Sequence, residues 1–191
     1  MWTNPTSVPP LKLFGLGNRD LTIRKVDMEN FEHSLFLGEM SNCCTKINGK
    51  FGECSVTYIK NKMIQAIEIL DGEQSIGNTM CYMAMLDEKP CLILDNIELK
   101  PQYHGSAIIK EGVFNFAKNL AKKICGKDIP VYLCPKRNDI SVDDMKLKLG
   151  DLMLVGDTGG DSVYVNFANQ KFQINNETRF FGKMSLFVVQ E

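Results

Sequence analysis

The sequence predicts an α/β (α+β) domain built on a mixed, mostly antiparallel central sheet flanked by helices. Two observations carry that class. Three apolar, strand-like stretches between residues 63 and 99 are joined by connections too short for a crossover, so they must run antiparallel. A long amphipathic helix then follows Gly105 and separates the third stretch from another at 129–133, so those two strands must run parallel.

The 191 residues suit one domain, 20–191, behind an irregular lead-in over 1–19 that is rich in Pro, Gly, Asn and Ser. A domain of this length buries about 70% of its unfolded surface and needs no disulfides to hold a core. Apolar residues make up 44% and charged residues 24%, ordinary for a globular protein in water. Net charge is −1 and the lysines are dispersed, which argues against nucleic acid as a partner. No apolar run approaches the ~20 residues that span a bilayer, so no membrane partner is expected. Met1-Trp2-Thr3-Asn4-Pro5 lacks the charged and apolar regions of a secretory signal. The seven cysteines form no Cys-x-x-Cys pair, and His33 and His104 are the two histidines, so no metal is expected. The thiols read as reduced and the compartment as cytoplasmic.

Taken in order, Leu21-Thr22-Ile23-Arg24-Lys25-Val26 reads as a strand. Asp27 is placed to cap a helix reaching about Leu37, with Met28, Phe31 and Leu35 on one face and Gly38 as its stop. Residues 39–55 are polar and glycine-containing, hence a loop. Residues 63–70 alternate as a strand, Asp71-Gly72 is a hairpin signal, and 76–86 is the return strand with Met80, Tyr82, Ala84 and Leu86 on one side. Asp87-Glu88-Lys89-Pro90 turns the chain into the strand 91–99. The helix after Gly105 buries Ile109, Val113, Phe116, Leu120 and Ile124 and ends near Lys123, with Gly126 as cap. Residues 141–149 read as a short helix stopped by Gly150. Strands near 162–167 and 184–189 close the chain, and the last strands could pair between subunits to give a homodimer.

The segment Gln102-Tyr103-His104-Gly105-Ser106-Ala107 joins a buried strand to the long helix. A small-residue turn there aims backbone N–H groups at one point, with the positive end of the helix dipole behind them. That is an anion site suited to phosphate or pyrophosphate. Two acids, Asp95 and Glu98, lie near the end of the preceding strand. They point to opposite faces unless a bulge intervenes, and burial would make either a candidate base. The competing reading is a pair of hydrogen-bonded structural acids. Cys43-Cys44 reads as small apolar packing rather than a nucleophile, because no histidine motif accompanies it. Residues 156–161 read as a turn rather than a cation loop.

The order of elements, together with Gln102-x-x-Gly105-x-Ala107, resembles the GNAT superfamily of N-acetyltransferases. Thr22–Phe31 looks like that family's first strand and helix, and Asn138 with Lys148-Leu149-Gly150 like its segment after the fifth strand. The resemblance covers roughly residues 20–190. It implies a splay between the fourth and fifth strands, here 91–99 and 129–133, with acetyl-CoA in the gap as co-substrate. The N–H groups from Gln102 to Ala107, Tyr103, His104 and Ser106 included, would hold its pyrophosphate. The backbone of Ile97 and Leu99 would pair with its pantetheine arm, and Asn138 would complete the cofactor site. An amine acceptor would attack the thioester directly in a ternary complex, with Glu98 or Asp95 as base. The chain departs from the family in two places: residues 141–149 carry no tyrosine, and 39–62 lacks the usual second helix. The alternatives are a catalytically degenerate CoA-binding or protein-interaction module, and transfer of another acyl group.

Overall fold

The computed structural model describes residues 8–15, 17, 19–40, 46–50, 52, 54–135, 138–154, 159–165, 170–175 and 179–190. Strands β1 (Leu11–Leu13) and β2 (Leu21–Lys25) precede three short helices, α1 (Phe31–Leu35), α2 (Leu37–Met40) and α3 (Cys54–Lys60). The expected meander follows as β3 (Ile64–Asp71), β4 (Gln74–Leu86) and β5 (Lys89–Leu94), with a two-residue strand β6 (Glu98–Leu99) after it. A 3-10 turn at Pro101–Tyr103 leads into the long helix α4 (Ala107–Cys125). Strands β7 (Val131–Leu133), β8 (Leu147–Leu154), β9 (Gly159–Val165), β10 (Gln170–Asn175) and β11 (Arg179–Gln190) complete the chain.

Local chemistry sets the two hairpins of the meander. Gly72 takes a left-handed φ of +59° between β3 and β4. Between β4 and β5, Asp87 and Glu88 are both left-handed, with φ of 49° and 63°, as a type I′ turn requires. Ser106 caps α4, its Oγ accepting the Ile109 N–H, and Gly126 ends it in the left-handed region. The buried stripe of α4 holds Ile109, Val113, Phe116, Leu120 and Ile124, as the sequence predicts.

The main sheet runs β1-β2-β3-β4-β5-β7-β11-β8, antiparallel except for the parallel pair β5–β7. β8 also pairs with the far end of β4, Ala84–Leu86 against Leu154–Leu152, so β4, β5, β7, β11 and β8 close into a ring. One core lies between the sheet and α4 and contains Ile23, Ile69, Met83, Leu94 and Phe116. The other lies on the opposite face, against α2 and α3 and within the ring, and contains Ala66, Tyr82, Ile93, Tyr132 and Leu186. Burying a side chain the size of Phe116 or Leu94 contributes about 1.5–3 kcal/mol each.

Several sequence expectations are corrected. The helix expected from Asp27 starts at Phe31, with Asn30 as its cap: the Asn30 side chain accepts the His33 N–H, while Asp27 Oδ1 accepts the Glu29 N–H in a local turn. Gly38 lies inside α2 rather than ending a helix. Residues 141–149 form no helix. They pass from a turn at Asp143 and Asp144 into β8, where burial alternates with period two and places Gly150, Leu152 and Leu154 inward. The second helix judged missing from 39–62 is present as α3. Its Ser-Val-Thr run has low helix propensity, and burial of Cys54, Ser55, Thr57 and Tyr58 holds it instead. Leu11–Leu13, within the lead-in read as irregular, pairs with β2. Gly159 and Gly160 belong to β9, not to a turn. Gly156, Cys43 and Cys44 lie outside the described residues.

Candidate functional site

The strand expected over 91–99 is two strands separated by a bulge. Leu94 faces Cys81 and Glu98 faces Asn78, so four steps on one strand oppose three on β4. Asp95 stays in the β5 register, its N–H donating to the Met80 carbonyl at 2.8 Å. By alternation Asp95 lies on the face opposite Leu94. Glu98 lies on that same face, because its cross-strand partner Asn78 reaches the Leu37 carbonyl of α2. The bulge thus puts both acids on the side of the sheet covered by α1–α3.

Direct pairing between β5 and β7 ends at Leu94 and Leu133, with the Cys134 N–H to the Leu94 carbonyl as the last rung. Past that point the strands part, in front of the loop that leads into α4. Two residues of this chain bridge the opening. Asn138 Oδ1 accepts the Ile97 N–H at 3.0 Å, and Asn138 Nδ2 donates to the Cys134 carbonyl at 2.6 Å. Asp139 Oδ2 accepts the Leu99 N–H at 2.8 Å, and the Asp139 N–H donates to the Ile97 carbonyl at 2.9 Å. The Asp139 carbonyl accepts the Gly105 N–H at 2.8 Å. The edge expected to meet a pantetheine arm is therefore satisfied by Asn138 and Asp139.

The loop corrects the expectation of converging N–H groups: those of Tyr103, His104, Gly105 and Ser106 donate to the carbonyls of Lys100, Pro101, Asp139 and Tyr103, which leaves the first-turn amides of α4 to face an anion. Gly105 is left-handed at φ +72°, and a Cβ there would meet nothing within 4 Å, so open space faces it. The amides of Ala107 and Ile108 lie in the first turn of α4, where a helix offers no internal acceptor. Gln102 and Gly105 are exposed. The Tyr103 side chain is buried, whereas His104 is exposed like Gln102 and Gly105. The Tyr103 hydroxyl donates to Asp71 Oδ2 at 2.6 Å and Arg19 stacks on its ring, which ties the loop to the β3–β4 hairpin. His104 Nε2 lies 2.9 Å from the Leu99 carbonyl and 3.5 Å from Asp139 Oδ2.

A polar row crosses the sheet from this opening. Glu98 faces Asn78, Asn78 faces Glu68, and Glu68 faces Arg24, so all four share one face. Asn96 Nδ2 donates to Glu98 Oε1 at 2.7 Å. At the far end, Arg24 donates to Glu68 Oε2 through Nε at 3.0 Å and Nη2 at 2.8 Å, and His33 Nε2 sits 3.1 Å from the same oxygen. A cleft of about 430 Å³ opens over Glu68. Sequence reasoning placed His33 as an unassigned residue of the first helix and passed over Glu68. The available signal was a charge inside the apolar run Ile64-Gln65-Ala66-Ile67-Glu68-Ile69-Leu70, where burial demands a partner.

Asp95 is buried close to Tyr82, whose phenol is raised well above its ordinary value by burial, by Tyr58 and by the Asp95 charge. Burial pushes the Cys91 thiol up to about 12 and, with Asp95, pushes Cys81 up as well, which leaves both as inert thiols. Among the described residues no cluster of three or more His, Cys, Asp and Glu side chains is gathered to hold a metal ion, and no helix is long and apolar enough to cross a membrane.

No family model and no curated protein matches the sequence. Solved structures are similar at low identity. An aminoglycoside acetyltransferase from an uncultured soil metagenomic sample, in complex with trehalose, has a TM-score of 0.42 and 14% identity over 65% of this chain and 80% of its own. A second aminoglycoside acetyltransferase of that kind of source has a TM-score of 0.43 and 14% identity over 60% and 78%. A probable N-acyltransferase from Enterococcus faecalis has a TM-score of 0.43 and 17% identity over 62% of this chain and 30% of its own.

Proposed function

We propose that this chain is an N-acyltransferase that takes an acetyl group from acetyl-CoA and passes it to an amine by direct attack in a ternary complex. One observation carries the reading. Among the described residues, the one parallel strand pair of the main sheet parts directly before a glycine loop at a helix N-terminus, with open space over Gly105. That is where a pyrophosphate fits, held by the Gly105 N–H and the first-turn amides of α4. The pantetheine edge fits on one condition: Asp139 must withdraw from Ile97, Leu99 and Gly105, and Asn138 from the Ile97 N–H. Bound acetyl-CoA supplies an activated thioester carbonyl. The chain's own part is to hold the amine beside it and remove a proton. Glu98, at the rim of the opening and hydrogen-bonded to Asn96, is placed for that role, and buried Asp95 lies behind it.

The self-satisfied opening favours a second reading, a binding module on the same fold without turnover. A thermal-shift titration with CoA and acetyl-CoA separates the two. At about 100 times its dissociation constant a ligand adds about 2.7 kcal/mol, roughly 5–10 °C for a domain of this size. Absence of any shift, in the wild type and in Asp139→Ala alike, sinks both cofactor readings. A shift without CoA release across a panel of amines selects the binding module.

A further inference from the structure

Among the described residues, the cleft over Glu68 contains one buried hydroxyl without a partner and one carboxylate whose hydrogen bonds all fall on a single oxygen. Glu68 is 1% exposed, yet its hydrogen bonds from Arg24 and His33 all fall on Oε2. Oε1 takes no bond from any described residue. Ser75 lines the same cleft at 7% exposure, and its hydroxyl has no partner among the described residues. A buried hydroxyl left unpaired is costly, and a donor from outside that also met the uncommitted Glu68 oxygen would satisfy it.

The chemistry of that donor follows from the walls. Glu32, Glu68 and Glu73 line the cleft against the one guanidinium of Arg24, so an anion is repelled and a cation is concentrated there. A metal ion would need several oxygen ligands converging on one point, and no such cluster is gathered among the described residues. An ammonium, with three donors and no acceptor, matches an open carboxylate oxygen and an open hydroxyl. Phe36, Leu37 and Leu70 supply an apolar wall for the methylenes that carry it.

We infer that this cleft holds a second ammonium group of the acceptor, remote from the amine that is acylated. The inference rests on the acyltransferase reading for the transfer step, not for the binding. Glu68 and Glu98 lie two strands apart in one cross-strand row, about 10 Å at the usual strand spacing. The acceptor class is therefore a linear dication whose nitrogens stand about that far apart. One nitrogen sits between Glu68 and Ser75 and the other reaches the opening beside Glu98.

Calorimetry with 1,7-diaminoheptane and with heptylamine tests this on the full chain, with no cofactor present. The diamine is expected to bind the wild type about tenfold or more tighter than heptylamine, the weight of one charge-assisted contact. It is expected to bind Glu68→Gln and Ser75→Ala more weakly, and to shift the His33 ring signals in the wild-type NMR spectrum. Three results overturn the proposal: no diamine binding, equal binding of heptylamine, or wild-type affinity in a folded variant. Ser75→Ala decides the case where Glu68→Gln fails to fold. Diamine binding in a protein that shows no thermal shift with CoA or acetyl-CoA would leave the cleft assigned and remove the acyltransferase reading.

Discussion

Asp139 holds Leu99 and Gly105 at once, its carboxylate accepting the Leu99 N–H at 2.8 Å and its carbonyl accepting the Gly105 N–H at 2.8 Å. One residue thereby occupies both the strand edge and the loop that an acyl-CoA needs. Binding then becomes an exchange, and the apparent affinity falls by whatever the Asp139 contacts contribute. Asp139→Ala is expected to tighten CoA binding by about tenfold or more, since a hydrogen bond to a charged group contributes about 1.5–3 kcal/mol. Calorimetric titration of both proteins measures it. The variant keeps the main-chain contacts to Ile97 and Gly105, so equal or weaker binding would mean that the Asp139 carboxylate does not compete.

Gly105 separates charge from backbone strain. Alanine and aspartate both suffer at φ +72°, and neither Cβ meets a neighbour. Gly105→Ala should keep the thermal shift with CoA at reduced melting temperature, whereas Gly105→Asp should abolish it by setting a carboxylate against the pyrophosphate. A shift that survives in the aspartate variant would move the anion site elsewhere.

Gly77 holds the bulge in place. A Cβ there would fall on the Glu98 carbonyl oxygen and the Leu99 side chain, and the carbonyl is backbone that cannot rotate away. Gly77→Ala is expected to cost about 1–3 kcal/mol by overpacking and to push β6 off β4. Urea denaturation reads the first effect and loss of CoA binding the second. Gly112 is a milder case. Its Cβ would press on the side-chain ends of Leu13 and Ile23, which can shift where a carbonyl cannot.

Glu98 is the acid whose neutralisation should stop proton removal without disturbing the donor site. Glu98→Gln keeps the shape of the hydrogen bond from Asn96 and is expected to lower kcat by about 10²–10⁴ with the CoA shift unchanged. Wild-type turnover in this variant would transfer the base role to Asp95 or to solvent.

The parts of this fold legible in the sequence are those that local rules decide. Asp71-Gly72 fixes one hairpin, a five-residue apolar stripe with Gly126 fixes α4, and the length of that helix fixes the parallel pair. The missed parts depend on distant chain. Residues 147–154 carry a strand alternation that a helical reading of 141–149 obscured, and only pairing with β4 and β11 selects it. α3 is held by burial rather than propensity. The bulge after Asp95 is anchored by Asn138 and Asp139, some forty residues away. His33 meets Glu68 across 35 residues, so no local pattern announced the cleft.

Alkaline stability follows from the buried thiols. Burial raises Cys91 from 9.0 to about 12, outweighing the Leu86 main-chain hydrogen bond that lowers it. Burial also raises Cys81 and Tyr82. The unfolded chain loses the Cys91 proton near pH 9 while the folded chain keeps it, so deprotonation favours unfolding. This stability is present in full below pH 9 and is lost as pH rises towards about 12. Each pH unit in that window removes about 1.4 kcal/mol for one such group. Urea midpoints should fall across the window, and Cys91→Ala, which lacks the group, should show a shallower fall from a slightly lower start. An equally steep fall in Cys91→Ala would assign the alkaline loss to Cys81 and Tyr82 alone.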